Sequence, residues 1–343
     1  MRVLEQLEPE KKVKLDLKDK KILALLAKDA RTPATIIARK VGLSRDAASY
    51  RIRNLVKNRV IQGYRTLVNV EVLGYDVYHL FIQLNPPSKE AEKEIVDKFK
   101  TYPFERAVLK FSDKYDYELA IVAKSIAELD DIVSRIITDC REYLQDYEIL
   151  TIAKFYVENS FPKSFLETQE SSSVVQNKKT EKIKIDQQDF EILRILANNA
   201  DLPLFSVANK LKVSADTVKY RLKKMMSAGI IKKFIPVINY SSLGYTIYAL
   251  LLNIKGLSDK REAKLKQVLG TDPNVLWAVK TIGRFNVLMY VCAQNTEEFH
   301  KTLINIRSNF QGEINHYETL IAYAEYKYTY FPECIRLQPL QPN

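Results

Sequence analysis

The chain has 343 residues, with 53 Lys and Arg against 42 Asp and Glu, a formal net charge of +11 at pH 7. Hydrophobic residues make up 46%, enough apolar surface to fill two or more cores, so a wholly disordered chain is excluded. Three cysteines, Cys140, Cys292 and Cys334, stand in no close pairing, which excludes a disulfide framework or thiolate zinc site and fits a reduced, cytoplasmic setting.

Residues 1–14, MRVLEQLEPEKKVK, lack the apolar stretch of a secretion signal and read as a tail. No run of about eighteen apolar residues predicts a membrane span. From Leu15, Leu17, Ile22, Leu25 and Leu26 recur near helical spacing, with Asp16 as N-cap and Asp19 as its return partner. A second helix is expected after Thr32 as N-cap and Pro33 at its first position. Gly42 suits the left-handed end of that helix, and Ser44 then caps a third helix that turns Ala48, Ile52, Leu55 and Val56 inward. The strand-forming run VIQGYRTLV from Val60 predicts a hairpin or single strand beside it, so residues 15–68 read as a winged helix-turn-helix.

After Gly74 the period becomes that of strands. VYHLFIQL, FERAVLKF, YDYELAIVA and YEILTIAKFYV predict four strands, with helices over Lys89 to Thr101 and Ile126 to Tyr143. That order, βαββαβ over residues 69–167, predicts a ferredoxin-like sandwich. The polar, aperiodic run 168–184 reads as a linker.

The rest of the chain repeats this plan. Shifted by 170 positions without a gap, 21 of the 69 residues from Asp16 to Leu84 are identical to their partners, and the match continues to Phe161-Pro162 and Phe331-Pro332. Chance does not account for it. A second winged helix-turn-helix is expected over 185–238 and a second βαββαβ domain over 239–333, followed by a tail at 334–343. Its strands are IYALLLNI, NVLWAVKT, FNVLMYVCA and YETLIAYAEYKYTY, with helices near Asp259 to Leu269 and Thr296 to Ser308. The fold class is α+β, in two tandem copies.

In a helix-turn-helix the third helix enters the major groove, and residues near its N-terminus reach base edges. With Ala48, Ile52 and Leu55 inward, Arg45, Asp46, Ser49, Tyr50 and Arg53 project outward, with Arg45 and Ser49 the foremost candidate base readers. The second copy presents Ala215, Asp216, Lys219, Tyr220 and Lys223, which keeps positive charge but loses the leading arginine. Ser44 and Ser214 stand at the helix entrances, and Arg65, Lys232 and Lys233 on the wings are expected at phosphates. Arg51 and Arg221 admit two readings, phosphate contact or an internal ion pair with an acid such as Asp19 or Asp189.

Charge location favours DNA over a membrane surface. Leu15 to Val68 carries a net +9 and Ile185 to Ile238 a net +4, leaving −2 for everything else. Concentration of the excess on two small modules is the footprint of phosphate contact. The lone tryptophan, Trp277, lies in a strand pattern, where a core role is expected, and there is no basic amphipathic helix with exposed Trp or Phe.

These residues resemble the Lrp/AsnC family of transcriptional regulators. The pattern LD..D..IL..L..dAR.....IA..vGLS...v..Ri..L....vI.GY, followed by βαββαβ, occurs in both copies and covers nearly the whole chain. The resemblance implies a regulator bound to double-stranded DNA, with paired effector domains and small, often amino-acid-like ligands near the pairing interface. Ordinary members carry one copy and dimerise, so this chain is similar to a dimer fused head to tail, with further homo-oligomers built on that unit left open. The family's Gly-x-Tyr-Asp effector turn is split here. Asp113-Lys114-Tyr115-Asp116 keeps the aspartate and Gly283-Arg284-Phe285-Asn286 keeps the glycine, so Asp116, Gly283 and Asn286 are the candidate effector residues, beside the alternative of a turn that no longer binds a ligand.

Two further readings remain. One is an architectural, nucleoid-associated protein with little sequence preference. The other, also by resemblance, is a sirohaem-decarboxylase-like enzyme, which needs histidines near the porphyrin; His79, His300 and His316 are the only three, and the turns KFSDKYDYE and KTIGRFNVL hold none. No GxGxxG, Walker A, GxSxG or HExxH motif occurs, so no catalytic residue, metal site or cofactor is expected.

Overall fold

The computed structural model describes residues 12–165 and 185–337. The expected linker at 168–184 and most of the two expected tails lie outside the described residues. Residues 12–14 and 334–337 are described and packed: the Val13 N–H donates to Ser242 O, and Ile335 is buried.

The first winged module consists of α1 (Leu17–Lys28), α2 (Ala34–Val41), α3 (Arg45–Lys57) and β1 (Ile61–Val68). Asp16 and Asp19 form the reciprocal cap at the start of α1, and Ser44 accepts from the Ala47 N–H to start α3. Three local expectations fail. Pro33 is the N-cap of α2 and not its first helical residue, the Thr32 hydroxyl donates to Asp29 O instead of capping that helix, and Val56 is 45% exposed because it falls one position off the buried stripe of Ala48 and Leu55.

The first βαββαβ unit follows as β2 (Asp76–Leu84), α4 (Lys89–Thr101), β3 (Glu105–Ser112), β4 (Tyr117–Ala123), α5 (Ile126–Cys140) and β5 (Leu144–Glu158). The second copy supplies α6 (Gln187–Leu196), α7 (Leu204–Leu211), α8 (Ala215–Ser227), β6 (Ile231–Ile238), β7 (Thr246–Ile254), α9 (Asp259–Thr271), β8 (Val275–Ile282), β9 (Val287–Ala293), α10 (Thr296–Asn309) and β10 (Ile314–Tyr328).

At the end of α2 sits Gly42 with φ 68°, but its counterpart Lys212 holds the same left-handed conformation at φ 54°. A β-carbon is disfavoured there. Lys212→Gly is therefore expected to stabilise the second module by about 1 kcal/mol, read as a raised melting temperature.

Neither four-stranded sheet stands alone. Within each copy the strand order is ferredoxin-like, β3-β4-β2-β5 and β8-β9-β7-β10, and β5 pairs with β8 while β10 pairs with β3, so eight strands close into one barrel. Closure leaves no free sheet edge. The barrel interior is filled from both copies by Phe81, Phe111, Leu150, Leu251, Phe285 and Leu320. Outside it, α4 and α5 bury Phe99 and Ile136 against the first sheet, and α9 and α10 bury Leu269 and Ile306 against the second.

The wing is a single strand in each module, and its partner is the other module's wing: β1 and β6 form an antiparallel pair with Ile61 opposite Ile238 and Val68 opposite Ile231. Reciprocal bonds extend the joint, with the Ala30 N–H donating to Phe234 O and the Ala200 N–H to Tyr64 O. Each module also packs on the opposite copy. The core of α6–α8 includes Val70, Tyr75 and Val77, whereas that of α1–α3 includes Tyr245, Leu276 and Cys292.

One barrel seam carries a cost. Glu105 is fully buried, neither carboxylate oxygen has a hydrogen-bond partner among the described residues, and the Lys327 ammonium stands 3.9 Å away. Burial pushes the Glu105 carboxyl well above its ordinary value, with Lys327 pulling against that shift. A raised folded-state value means stability present at acid pH and lost as pH rises above the unfolded carboxylate range toward the folded value. The second copy places Val275 here. Glu105→Val is expected to stabilise the protein by about 1–3 kcal/mol at neutral pH, and melting curves from pH 4 to 8 should show the gap widening upward.

Candidate nucleic-acid interface

The two third helices expose the side chains a groove-reading helix needs. On α3, Arg45, Asp46, Tyr50 and Arg53 are exposed and Ser49 is half-buried; on α8, Ala215, Asp216, Lys219, Tyr220 and Lys223 are exposed. Tyr50 is 60% and Tyr220 70% exposed, so these rings fill no core and stand with the cations on the outer face. The β1–β6 pair ties the two modules together, so α3 and α8 are held by one joint.

Several expected contacts have other work in the structure. Ser44 and Ser214 cap α3 and α8 through the Ala47 and Thr217 N–H groups. The open question for Arg51 and Arg221 resolves to ion pairs. Arg51 bonds Asp16 at 2.7 Å and Asp19 at 2.8 Å, and Arg221 bonds Asp186 at 2.6 Å and Asp189 at 2.8 Å, the last carboxylate being buried. The Asp19 N–H and the Arg51 guanidinium hold the Asp16 carboxyl below its usual range. These arginines brace the third helix against the first. Arg221→Ala is accordingly expected to cost about 3 kcal/mol of stability, because Asp189 loses its closer partner, while the salt slope of DNA binding stays unchanged. A slope reduced by about one with stability intact would restore the phosphate reading.

Arg65 is corrected outright. It is 6% exposed, 3.8 Å from Glu325 and 5.0 Å from the centre of the Tyr328 ring, because β1 turns it toward the barrel, so it is not a DNA contact. Lys233 is half-buried, and burial lowers its ammonium pKa. Lys232 is exposed with its ammonium 4.7 Å over the Phe155 ring.

The three candidate effector residues also act within the fold. Asp116 accepts from the Leu84 N–H, and Asn286 both accepts from the Ile254 N–H and donates to Ile254 O, so each ties its turn to the end of the neighbouring strand. Gly283 lies against β5 of the first copy, next to Ile149 and Leu150. The turns dock reciprocally: the Arg284 N–H donates to Glu148 and the Lys114 ammonium to Glu318.

What the sequence reading misses is a cavity between the paired wings and the barrel, lined by Arg65, His79, Arg106, Glu118, Trp277 and Tyr290 among others. His79 Nδ1 lies 2.5 Å from Glu118, whose second oxygen accepts from the Tyr290 hydroxyl at 2.5 Å. The signals in the sequence are a histidine and the lone tryptophan in strand patterns, and neither points across a repeat; Trp277, expected in a core, is half-buried on the cavity wall. No helix among the described residues is long and apolar enough to cross a membrane, and no group of three metal-ligating side chains is gathered among them.

Comparison with known proteins places these helices. The AsnC-type helix-turn-helix domain matches residues 15–56, and a winged helix-turn-helix DNA-binding domain matches residues 185–232. The transcriptional regulator LrpA of Pyrococcus horikoshii is 34% identical over 122 residues, 35% of this chain and 84% of that protein. The leucine-responsive regulatory protein of Rhizobium meliloti is 34% identical over 123 residues, covering 36% and 79%, and the regulator LysM of Sulfurisphaera tokodaii is 30% identical over 140 residues, covering 40% and 94%. In fold the chain is similar, over 91% of its length and 93% of the other, to the sirohaem decarboxylase NirDL, with a TM-score of 0.62 and 15% identity. With two helix-turn-helix modules and such relatives, the chain belongs to the Lrp/AsnC family of helix-turn-helix transcriptional regulators.

Proposed function

We propose that the chain is a sequence-specific, cytoplasmic transcriptional regulator in which two Lrp/AsnC modules act as an intramolecular pseudo-dimer on double-stranded DNA. The carrying observation is that cationic residues of α3 and α8 stay exposed while the strands beside them are joined, β1 to β6. Arg45, Ser49, Tyr50 and Arg53 are the readers of one half-site and Lys219, Tyr220 and Lys223 of the other. Because the two sets differ, the natural site is asymmetric, whereas a homodimer's equal helices impose a palindrome. Selection of binding sites from random DNA tests this: a non-palindromic consensus bound roughly 10³-fold more tightly than random duplex is expected. Equal affinity for all duplexes would instead describe an architectural, nucleoid-associated protein.

A second reading, tetrapyrrole chemistry, is favoured by the likeness to NirDL together with His79 in the wing–barrel cavity. The turns after β3 and β8 contain no histidine, which favours the regulator. Absorbance on adding sirohaem or haem separates the two, since a tight Soret shift belongs to the enzyme reading and an unshifted band to the regulator.

A further inference from the structure

The wing–barrel cavity has a volume of about 230 Å³ and lies on the pseudo-twofold axis, because its lining contains both members of repeat pairs such as Arg65 and Ile235, Arg106 and Leu276, and Ala107 and Trp277. A symmetric ancestor would present two equal halves. Here they have diverged in opposite chemical directions. The first copy places His79, Arg106 and Glu118 where the second has Ala249, Leu276 and Leu288; the second places Trp277 and Tyr290 where the first has Ala107 and Ala120. Small and apolar side chains thus satisfy the fold at each of these places, and burying polar groups instead costs stability. The polar set therefore requires another explanation than packing.

Its chemistry is specific. Trp277 stacks on Tyr290 with centroids 5.2 Å apart and lies 5.6 Å from the tilted His79 ring, which makes an aromatic wall. Of the four carboxylates that line the cavity, Glu118 is engaged by His79 and Tyr290, Glu325 lies 3.8 Å from Arg65, and Glu71 and Glu158 stand at its edge beside the wings. Arg106 has no carboxylate within 4.0 Å among the described residues; its Nε is buried without a hydrogen-bond partner there, and its guanidinium stands 5.4 Å from the Tyr330 ring centre. The Lys232 ammonium stands over the Phe155 ring and has no ion-pair partner among the described residues. Cations held by rings rather than carboxylates leave room for an anion. The volume sets the size: an apolar cavity of about 150 Å³ takes up benzene, and drug-sized ligands occupy about 300–1,000 Å³.

We propose that this cavity binds a compact flat acid, a one- or two-ring aromatic or heteroaromatic carboxylate, and that its occupancy alters DNA affinity. The ring packs on the Trp277–Tyr290 wall, and Arg106 with Lys232 holds the carboxylate. The roof of the cavity is the β1–β6 joint between the winged modules, so a ligand that touches Lys232 touches the element that orients α3 and α8. The coupling half rests on the DNA-binding reading; the binding half stands without it.

Trp277 is the single tryptophan of the chain, so its emission reports on the cavity. The full chain is titrated with benzoate and with nicotinate, against benzamide, cyclohexanecarboxylate and haem. Saturable quenching by the two aromatic acids, at least tenfold weaker for benzamide and for cyclohexanecarboxylate, is expected. Arg106→Leu, which carries the second copy's own residue and so suits the fold, should weaken acid binding at least tenfold and leave DNA affinity without acid unchanged; Lys232→Gln, at an exposed site, should weaken acid binding as well. No saturable quenching, equal response to benzoate and benzamide, or quenching by haem alone overturns the site. Duplex affinity measured with and without benzoate should differ at least threefold in the parent and be equal in Arg106→Leu; quenching with unchanged DNA affinity overturns the coupling. Absence of all duplex binding with quenching intact overturns the regulator reading and not the binding site.

Discussion

Reversing charge at Arg45 and Arg53 together is expected to lower duplex affinity by about 100-fold in dilute salt, the largest effect of any double change on the protein. Both side chains are exposed on α3, and neither has an ion-pair partner among the described residues. A base-edge contact is worth about 1–3 kcal/mol and a phosphate contact changes the salt slope by about 0.9, so losing one of each while adding repulsion reaches that size. Fluorescence anisotropy on selected and random duplexes at two salt concentrations separates the roles: Arg45 should carry more of the selectivity, Arg53 more of the salt dependence. The matching pair Lys219→Glu and Lys223→Glu on α8 should weaken binding at the other end of the site. Undiminished affinity in both doubles would remove the two helices from DNA.

Gly283→Val is expected to cost about 3 kcal/mol of stability, as much as Arg221→Ala. Gly283 has φ 148°, and a β-carbon built there would stand 2.7 Å from the Ile149 carbonyl oxygen and 2.7 Å from a Leu150 methyl group. Neither can give way easily, because β5 is laddered to β2 at these two residues and to β8 from Thr151 onward, and the Leu150 side chain is buried in the barrel interior. Backbone strain and overpacking therefore add. The first copy offers the converse experiment, for Asp113 occupies the equivalent place at φ 115°. Asp113→Gly should raise stability by about 1 kcal/mol where Gly283→Val lowers it, and denaturant midpoints for the pair decide the matter. Equal midpoints for Gly283→Val and the parent would mean that the turn is not held against β5.

Cap residues and periodicity carried most of the local structure. Asp16 with Asp19, Ser44 with the Ala47 N–H, and Gly42 at φ 68° are short-range devices whose partners lie within four residues, and the described helices and strands fall where these signals and the strand runs put them. The outward face of α3 was equally readable, since a helix with one apolar stripe has only one other side. Arg65 was not. Its alternation on β1 says which face it takes, but only the antiparallel partner β6 and Glu325 of β10 make that face an interior one.

The amino-acid order by itself determined the two modules, their duplication and the charge on their third helices, because each depends on neighbours in the chain or on repetition at a fixed offset. Only the tertiary structure decided that the wings pair with each other, that each winged module rests on the opposite copy, and that two sheets close into one barrel. Those outcomes turn on which strand edges meet across some 170 residues, and β-strands carry no local mark of their partner. The wing–barrel cavity belongs to the same class: Trp277, Tyr290 and Lys232 come from the second copy and His79 and Arg106 from the first, and nothing short of the closed barrel brings them together.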